Sequence, residues 1–221
     1  MATKRKPVKA GGRKVVTRKS RKPLKRQLKR RKKMVLDIVN FGHPVLRQKG
    51  AKIEKVTPEV KQLIDSMLET MKHAHGVGLA AQQIGQALQL AVIDVRGIED
   101  RPSTLHLDGE PADVAAFMPL ILLNPEVKPV NAAVKGPEGC LSFPEIYADI
   151  ERPESVDVTV MTLDGKTKSF RCGGLLSRAV QHENDHLNGI LFIDRMDRNT
   201  KAELKPEIDD LQAATKKKLK K

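Results

Sequence analysis

His182-Glu183-Asn184-Asp185-His186 is the stretch on which the rest of the chain turns. It fits H-E-x-x-H. On an α-helix, positions i and i+4 share a face, so both imidazoles can reach one metal ion. The glutamate between them stands where it can take a proton from a bound water. The flanks support a helix: Leu175, Leu176, Ala179, Val180 and Leu187 are apolar positions across residues 175–187, and Gly189 supplies a stop. Patterns with three fixed positions also arise on ordinary surface helices, so metal chemistry here needs a further ligand and a context.

A catalytic metal usually keeps three protein ligands and one open position for water. In the longer pattern H-E-x-x-H-x-x-G-x-x-H, the third ligand comes three residues after the glycine. Gly189 is in register, but Phe192 occupies the ligand position. The remaining candidates are His43, His73, His75, His106, Cys140 and Cys172. Cys140 stands in Glu138-Gly139-Cys140-Leu141-Ser142, and a thiolate there would suit a soft or borderline divalent ion. A lone cysteine is more often a small buried hydrophobe, which is the expectation for Cys172. A third segment, Gly76-Val77-Gly78-Leu79-Ala80-Ala81-Gln82-Gln83-Ile84-Gly85, is consistent with a helix C-cap and a tight turn. It is not a dinucleotide fingerprint, because it follows a helix and its third glycine is off register.

Together the three segments resemble the peptide deformylase family, whose motifs G-φ-G-φ-A-A-x-Q, E-G-C-L-S and Q-H-E-x-D-H occur in this order. Here they are complete, as residues 76–83, 138–142 and 181–186, and the resemblance runs from about Met34 to Asp194. It implies removal of the formyl group from the N-terminal formylmethionine of nascent polypeptides, releasing formate. It implies Cys140, His182 and His186 as metal ligands, Glu183 as general base and then acid, and Gln83 with the Leu141 backbone N–H as oxyanion donors. Substrate contacts fall to Gly78, whose missing Cβ lets the peptide approach, and to Val77 and Ala179 around the methionine side chain. Glu138 and Gln181 would orient loop and ligands. The metal implied is one Fe(II) per chain, with Ni, Co or Zn able to substitute, although the donor types alone point to zinc. The implied fold is α+β: antiparallel sheets packed around the central metal-binding helix, with a helical C-terminus.

Charge divides the chain. Residues 1–33 hold 17 of the 41 Lys and Arg and no acid, leaving 24 basic against 27 acidic residues in 34–221. The expectation is a basic, disordered tail (1–33) before a catalytic domain (34–221). The tail could anchor the enzyme to ribosomal RNA through phosphate contacts. It could instead be a targeting peptide, or Met34 could be the true start. Lys216, Lys217, Lys218, Lys220 and Lys221 form a second basic patch, or simply a solvated, frayed end. No apolar run is long enough to span a bilayer and no secretory h-region opens the chain. Two cysteines argue for a reducing cytoplasm rather than a disulfide scaffold.

Within the body, residues 34–39 resemble a first strand. Thr57-Pro58 opens a helix carrying Val60, Leu63, Ile64, Met67 and Met71, closed by Gly76. Residues 88–95 are expected to form a buried strand, 101–117 a polar loop, and 120–130 an interrupted or edge strand. Val156, Val158 and Val160 alternate, Asp164-Gly165 turns, and residues 166–171 return. Residues 200–219 are expected to be helical, with Pro206 an irregularity. Two alternatives to an active deformylase remain. One is a zinc peptidase of H-E-x-x-H type, which leaves residues 138–142 without a role. The other is a basic RNA- or ribosome-binding protein with an inactive deformylase fold, against which every ligand, base and oxyanion residue is in place.

Overall fold

The computed structural model describes Met1 and residues 34–220. The expected tail, Met1 apart, lies outside the described residues. Helix α1 (Pro58–His73) starts where Thr57 Oγ1 accepts the Val60 N–H and Pro58 fills a first-turn position that needs no donor. It ends at His73, short of Gly76. The left-handed residue is His75, at φ 55°. What Gly76 supplies is room, since a Cβ there would lie 2.7 Å from the Leu141 side chain.

Ten strands and four further helices follow: β1 (Gly78–Ala80), β2 (Leu90–Ile93), β3 (Ser103–Leu107), β4 (Glu110–Pro111), α2 (Val114–Phe117), β5 (Leu120–Leu123), β6 (Glu126–Pro129), β7 (Ala133–Cys140), β8 (Phe143–Pro153), β9 (Ser155–Met161), β10 (Thr167–Gly173), α3 (Gly174–Leu187), α4 (Arg198–Glu203) and α5 (Lys205–Leu219). They form three antiparallel sheets, ordered β1-β2-β5, β4-β3-β10-β9-β6 and the hairpin β7-β8. Helix α3 packs against β1, β2, β3, β8, β9 and β10, which is the expected α+β plan around a central helix.

Period-two alternation explains how the three-stranded sheet is buried on both faces. Leu90 and Val92 of β2 turn to α1, joining Ile64, Met67 and Met71. Ala91 and Ile93 turn the other way, into the core shared with Val156, Val158 and Val160 of β9 and Leu176 and Val180 of α3. A separate core seats Ile146, Ala148 and Ile150 of β8 against Phe41, Phe192 and Ile208. Phe192 meets Phe143 edge to face at 5.1 Å. The residue that fails the longer zinc-binding pattern is thus a core aromatic.

Several expectations are corrected. Residues 34–39 form no strand: Leu36 N–H donates to Thr70 Oγ1 and Val39 N–H to the Gln83 carbonyl, so the segment is tied at single points and not by a ladder. Residues 101–117 are not all loop, since they hold β3, β4 and α2. β3 pairs with β10, which gives its polar sequence a place at the sheet. Residues 120–130 are interrupted as expected, where Asn124 turns left-handed at φ 48° before Pro125, and the two halves are edge strands of different sheets. The C-terminal helix is two helices meeting at Leu204, because Pro206 has no N–H to continue the first. Cys172 is wholly buried, as expected, and burial pushes its thiol up to about 12.

Past α3, Gly189 turns at φ 73° and lies so near the Arg47 carbonyl that a Cβ would stand 2.6 Å from its oxygen. Arg47 in turn pairs with Asp194. Gly189→Ala should therefore lose about 1–3 kcal/mol for the left-handed backbone and more for displacing Arg47. Urea unfolding would measure this, and an unchanged midpoint would show the turn can rearrange freely.

Candidate metal centre

Helix α3 delivers His182, Glu183 and His186, and the end of β7 delivers Cys140. The hairpin brings β7 back through Leu141 and Ser142, with Cys140 opposite Phe143 after a register shift. Cys140 Sγ and the ring nitrogens of His182 and His186 come within 4.8 Å of one another, and Sγ lies 3.2 Å from His186 Nε2. Among the described residues this is the cluster of His, Cys and carboxylate groups able to hold a metal ion. His43, His73, His75 and His106 stand apart from it.

The donor set fits a metal on grounds of its own. His182 Nδ1 faces Glu138 Oε2 at 3.0 Å, which fixes the ring and leaves Nε2 for the cluster. Burial and the nearby charges of His182 and Arg152 hold His186 well below the usual imidazole range, so it stays a neutral donor. Burial also opposes charge on His182, but hydrogen bonds to Cys140 and Glu138 outweigh it and hold the imidazole well above its ordinary value.

Behind the ligands is a buried ion network. Arg152, 2% exposed, grips Glu138 with Nε to Oε1 at 2.6 Å and Nη2 to Oε2 at 2.9 Å, and donates Nη1 to Asp185 at 2.7 Å. Arg178 donates to Glu138 Oε1 at 2.8 Å and to the carbonyls of Gly136, Ile150 and Val134. Arg195 closes the far side with two bonds to Asp185, at 2.5 and 2.6 Å. Burial alone would push Glu138 up. The bonds from His182 and Arg152, with the Arg152 charge, hold it well below the carboxylate range. Of the two residues expected to orient the ligands, Glu138 does so. Gln181 instead donates to Pro153 and Ser177. Arg152 and Arg178 were not foreseen, although Arg152 continues the inward face of β8 after Ile146, Ala148 and Ile150.

A cavity of about 540 Å³ opens on the centre. Val77, Gly78, Gln83, Cys140, Leu141, Ala179, His182 and Glu183 all line it. The Gln83 carboxamide is oriented: Oε1 accepts the Ala80 N–H at 2.8 Å, which aims Nε2 at Cys140 Sγ and Ser142 Oγ, 3.5 and 3.4 Å away. Gly78 gives its space to Glu183, since a Cβ there would lie 2.2 Å from the Glu183 carboxylate. Burial raises Glu183 to about 7, with the His182 charge opposing, and its Oε2 is buried without a partner. A carboxylate oxygen so placed beside Cys and His donors is what a water-using metal site requires.

Fold and centre together define a metal-dependent hydrolase. The family model for polypeptide deformylase matches residues 35–202. Relatives named peptide deformylase include those of Opitutus terrae, 44% identical over 83% of this chain and 96% of its own, and of Methylacidiphilum infernorum, 44% identical over 81% and 94%. Among solved structures, a plant peptide deformylase is 34% identical with a TM-score of 0.71, covering 83% of this chain and 92% of that one. A peptide deformylase from Synechococcus elongatus in complex with actinonin is 36% identical with a TM-score of 0.64, covering 81% and 86%. The chain belongs to the polypeptide deformylase family, its activity is peptide deformylation, and Cys140, His182 and His186 form the metal site typical of that family. No helix among the described residues is long and apolar enough to cross a membrane.

Glu138→Gln would leave Arg152 and Arg178 with a neutral partner in the interior. Breaking such a pair costs about 3–5 kcal/mol, and losing a ligand's orienting partner weakens metal binding about 10–100-fold. Chelator competition on the purified variant measures the second effect; wild-type affinity would show that Glu138 does not set the His182 ligand.

Proposed function

We propose that Cys140, His182 and His186 hold one Fe(II) ion, replaceable by Ni, Co or Zn, and that Glu183 carries the proton traffic of deformylation. A dication bound there supplies Lewis acidity, acidifying water and polarising the formyl carbonyl. Glu183 takes the proton of the attacking water on Oε2 and returns it to the leaving amine. The C–N bond breaks, leaving formate and a free amino terminus. Gln83 Nε2 and the Leu141 N–H donate to the oxygen on which charge develops, where each donor contributes about 100-fold or more in rate. Gly78 meets the peptide backbone, and Val77 and Ala179 bound the methionine side chain. The observation carrying this reading is the orphaned Glu183 oxygen, buried on the cavity that Cys140, His182 and Gln83 also line.

The test is formate release from a formyl-Met-Ala peptide, using protein purified without oxygen and reconstituted with Fe(II) or Ni(II). Release should be abolished by EDTA. Glu183→Ala should keep stoichiometric metal and lose nearly all turnover; substantial residual activity would remove Glu183 from the role.

We further propose that residues 1–33 form a basic tail outside the catalytic domain, anchoring the enzyme to the cytoplasmic ribosome where formylated chains emerge. The support is compositional: 17 cations and no acid beside a body of net −3, facing a dense polyanion. Deleting residues 1–33 should preserve turnover of a short formyl-Met peptide and weaken cosedimentation with ribosomes, most visibly at low salt. Unchanged cosedimentation would end the anchor proposal.

A further inference from the structure

The cavity carries a cation that the deformylation chemistry does not use. Arg101 lines it, donating Nη2 to the Pro137 carbonyl at 3.1 Å, and among the described residues it forms no ion pair. Arg178, the other guanidinium on the cavity, is held by four bonds, three from Nη1 and one from Nη2, to Glu138 and three carbonyls. Arg101 makes this one hydrogen bond among the described residues and so keeps N–H groups to spare, in a cavity whose lining also includes the apolar Val77, Pro137, Leu175 and Ala179.

Its place relative to the reacting end follows from α3. Leu175, Ala179, His182 and Glu183 line the cavity from one face of that helix. Seven residues of helix separate Leu175 from His182, about 10 Å. Arg101 is fastened at the Leu175 end, because the next two residues close that end of the helix: the Leu175 N–H donates to the Pro102 carbonyl at 3.2 Å and the Leu176 N–H to Ser103 Oγ at 3.1 Å. A substrate with its formyl carbon at Glu183 and its side chain running towards the start of α3 extends on the order of 8 Å at ordinary bond lengths. The tip of that side chain then comes within hydrogen-bonding reach of a group at the far end.

We propose that Arg101 is a specificity-determining residue at the far end of the side-chain pocket, and that it lets the enzyme deformylate chains beginning with N-formylmethionine sulfoxide. The proposal rests on the deformylase orientation of the substrate given above. Oxidation turns a thioether, a weak acceptor, into a polar group with a strong acceptor oxygen. Set only against the side chains of Val77, Leu175 and Ala179, that oxygen would have no donor. Arg101 supplies a charge-assisted donor for it. The reaction is unchanged: water adds to the formyl carbon, the C–N bond breaks, formate leaves, and the sulfoxide is carried through.

The experiment compares kcat/KM for formyl-Met-Ala, its sulfoxide and the formyl-norleucine isostere, in the metal-loaded full chain and in Arg101→Ala. The wild type should process the sulfoxide within about tenfold of the thioether. Arg101→Ala should lower the sulfoxide-to-thioether ratio about 10–100-fold, as for a lost hydrogen bond to a charged group, while the norleucine-to-thioether ratio moves less than threefold. Arg101→Met, which keeps the stem and removes the donors, gives the same ratio should the alanine variant not fold, and Arg101→Lys should restore part of it. A wild-type sulfoxide ratio below about one hundredth, or a ratio that Arg101→Ala and Arg101→Met leave unaltered, overturns the proposal while formyl-Met turnover still upholds the activity. A wild type inactive on all three peptides would count against the substrate orientation itself, and the proposal would fall with it.

Discussion

The bond between Glu138 and Arg152 is the constraint on which the metal centre depends. The ligands come from two elements, Cys140 from a β-hairpin and the histidines from a helix, and apolar packing alone does not hold such elements to a fraction of an ångström. The network supplies direction. Glu138, on the same strand as Cys140, is gripped by two bonds from Arg152 and orients His182. Arg152 reaches on to Asp185, next to His186. A slip between hairpin and helix would break several of these bonds at once. Buried ion pairs of this kind add little net stability over apolar packing, because desolvation offsets the attraction. What they contribute here is register.

Arg195 extends the chain to the surface, being 42% exposed while it holds Asp185 with both nitrogens. The two acids of the network are thus balanced by three guanidiniums, and no carboxylate in it is left to a single partner. This explains why Asp185 can sit inside the H-E-x-x-H segment without competing for the metal: its oxygens are already committed to Arg152 and Arg195. Of the three residues between the histidines, Glu183 and Asp185 have distinct environments. Glu183 lines the cavity and Asp185 is tied into the ion network, as neighbours on a helix about 200° apart must be.

Much of this was legible in the sequence where periodicity or capping chemistry is strong. Thr57-Pro58 opens α1, the valines of β9 alternate inward, and the three motif segments do meet at one cavity. The β7-β8 hairpin was not foreseen, because residues 133–139 alternate weakly and the one fully buried residue among them, Glu138, is charged. The break at Asn124-Pro125 was visible, but not that the halves join different sheets, which depends on pairing partners far along the chain. Arg152 shows the general difficulty. Its position obeys the inward alternation of β8, but a charged residue at an apolar position reads as exposed until its partners, 14 and 33 residues away, are known. The polar stretch 101–117 was likewise misjudged, since β3 draws its stability from pairing with β10 and not from its own composition.

Gly78 serves two neighbours with one missing side chain. Sequence reasoning gave it to the substrate, whereas the structure gives its missing side chain to Glu183, whose carboxylate fills the space. These two uses are compatible and one follows from the other. With Gly78 on the edge strand β1 and Glu183 packed against its Cα, the carboxylate is pressed to the cavity wall, and the strand's free edge is left open to an extended peptide. The same packing buries Glu183 and leaves Oε2 unpaired, a state that costs stability in the resting fold. Natural cores avoid such groups, and this one persists beside three metal-binding side chains. Under the proposed function its partners are the attacking water and the leaving amine, and the local instability is the counterpart of that chemistry.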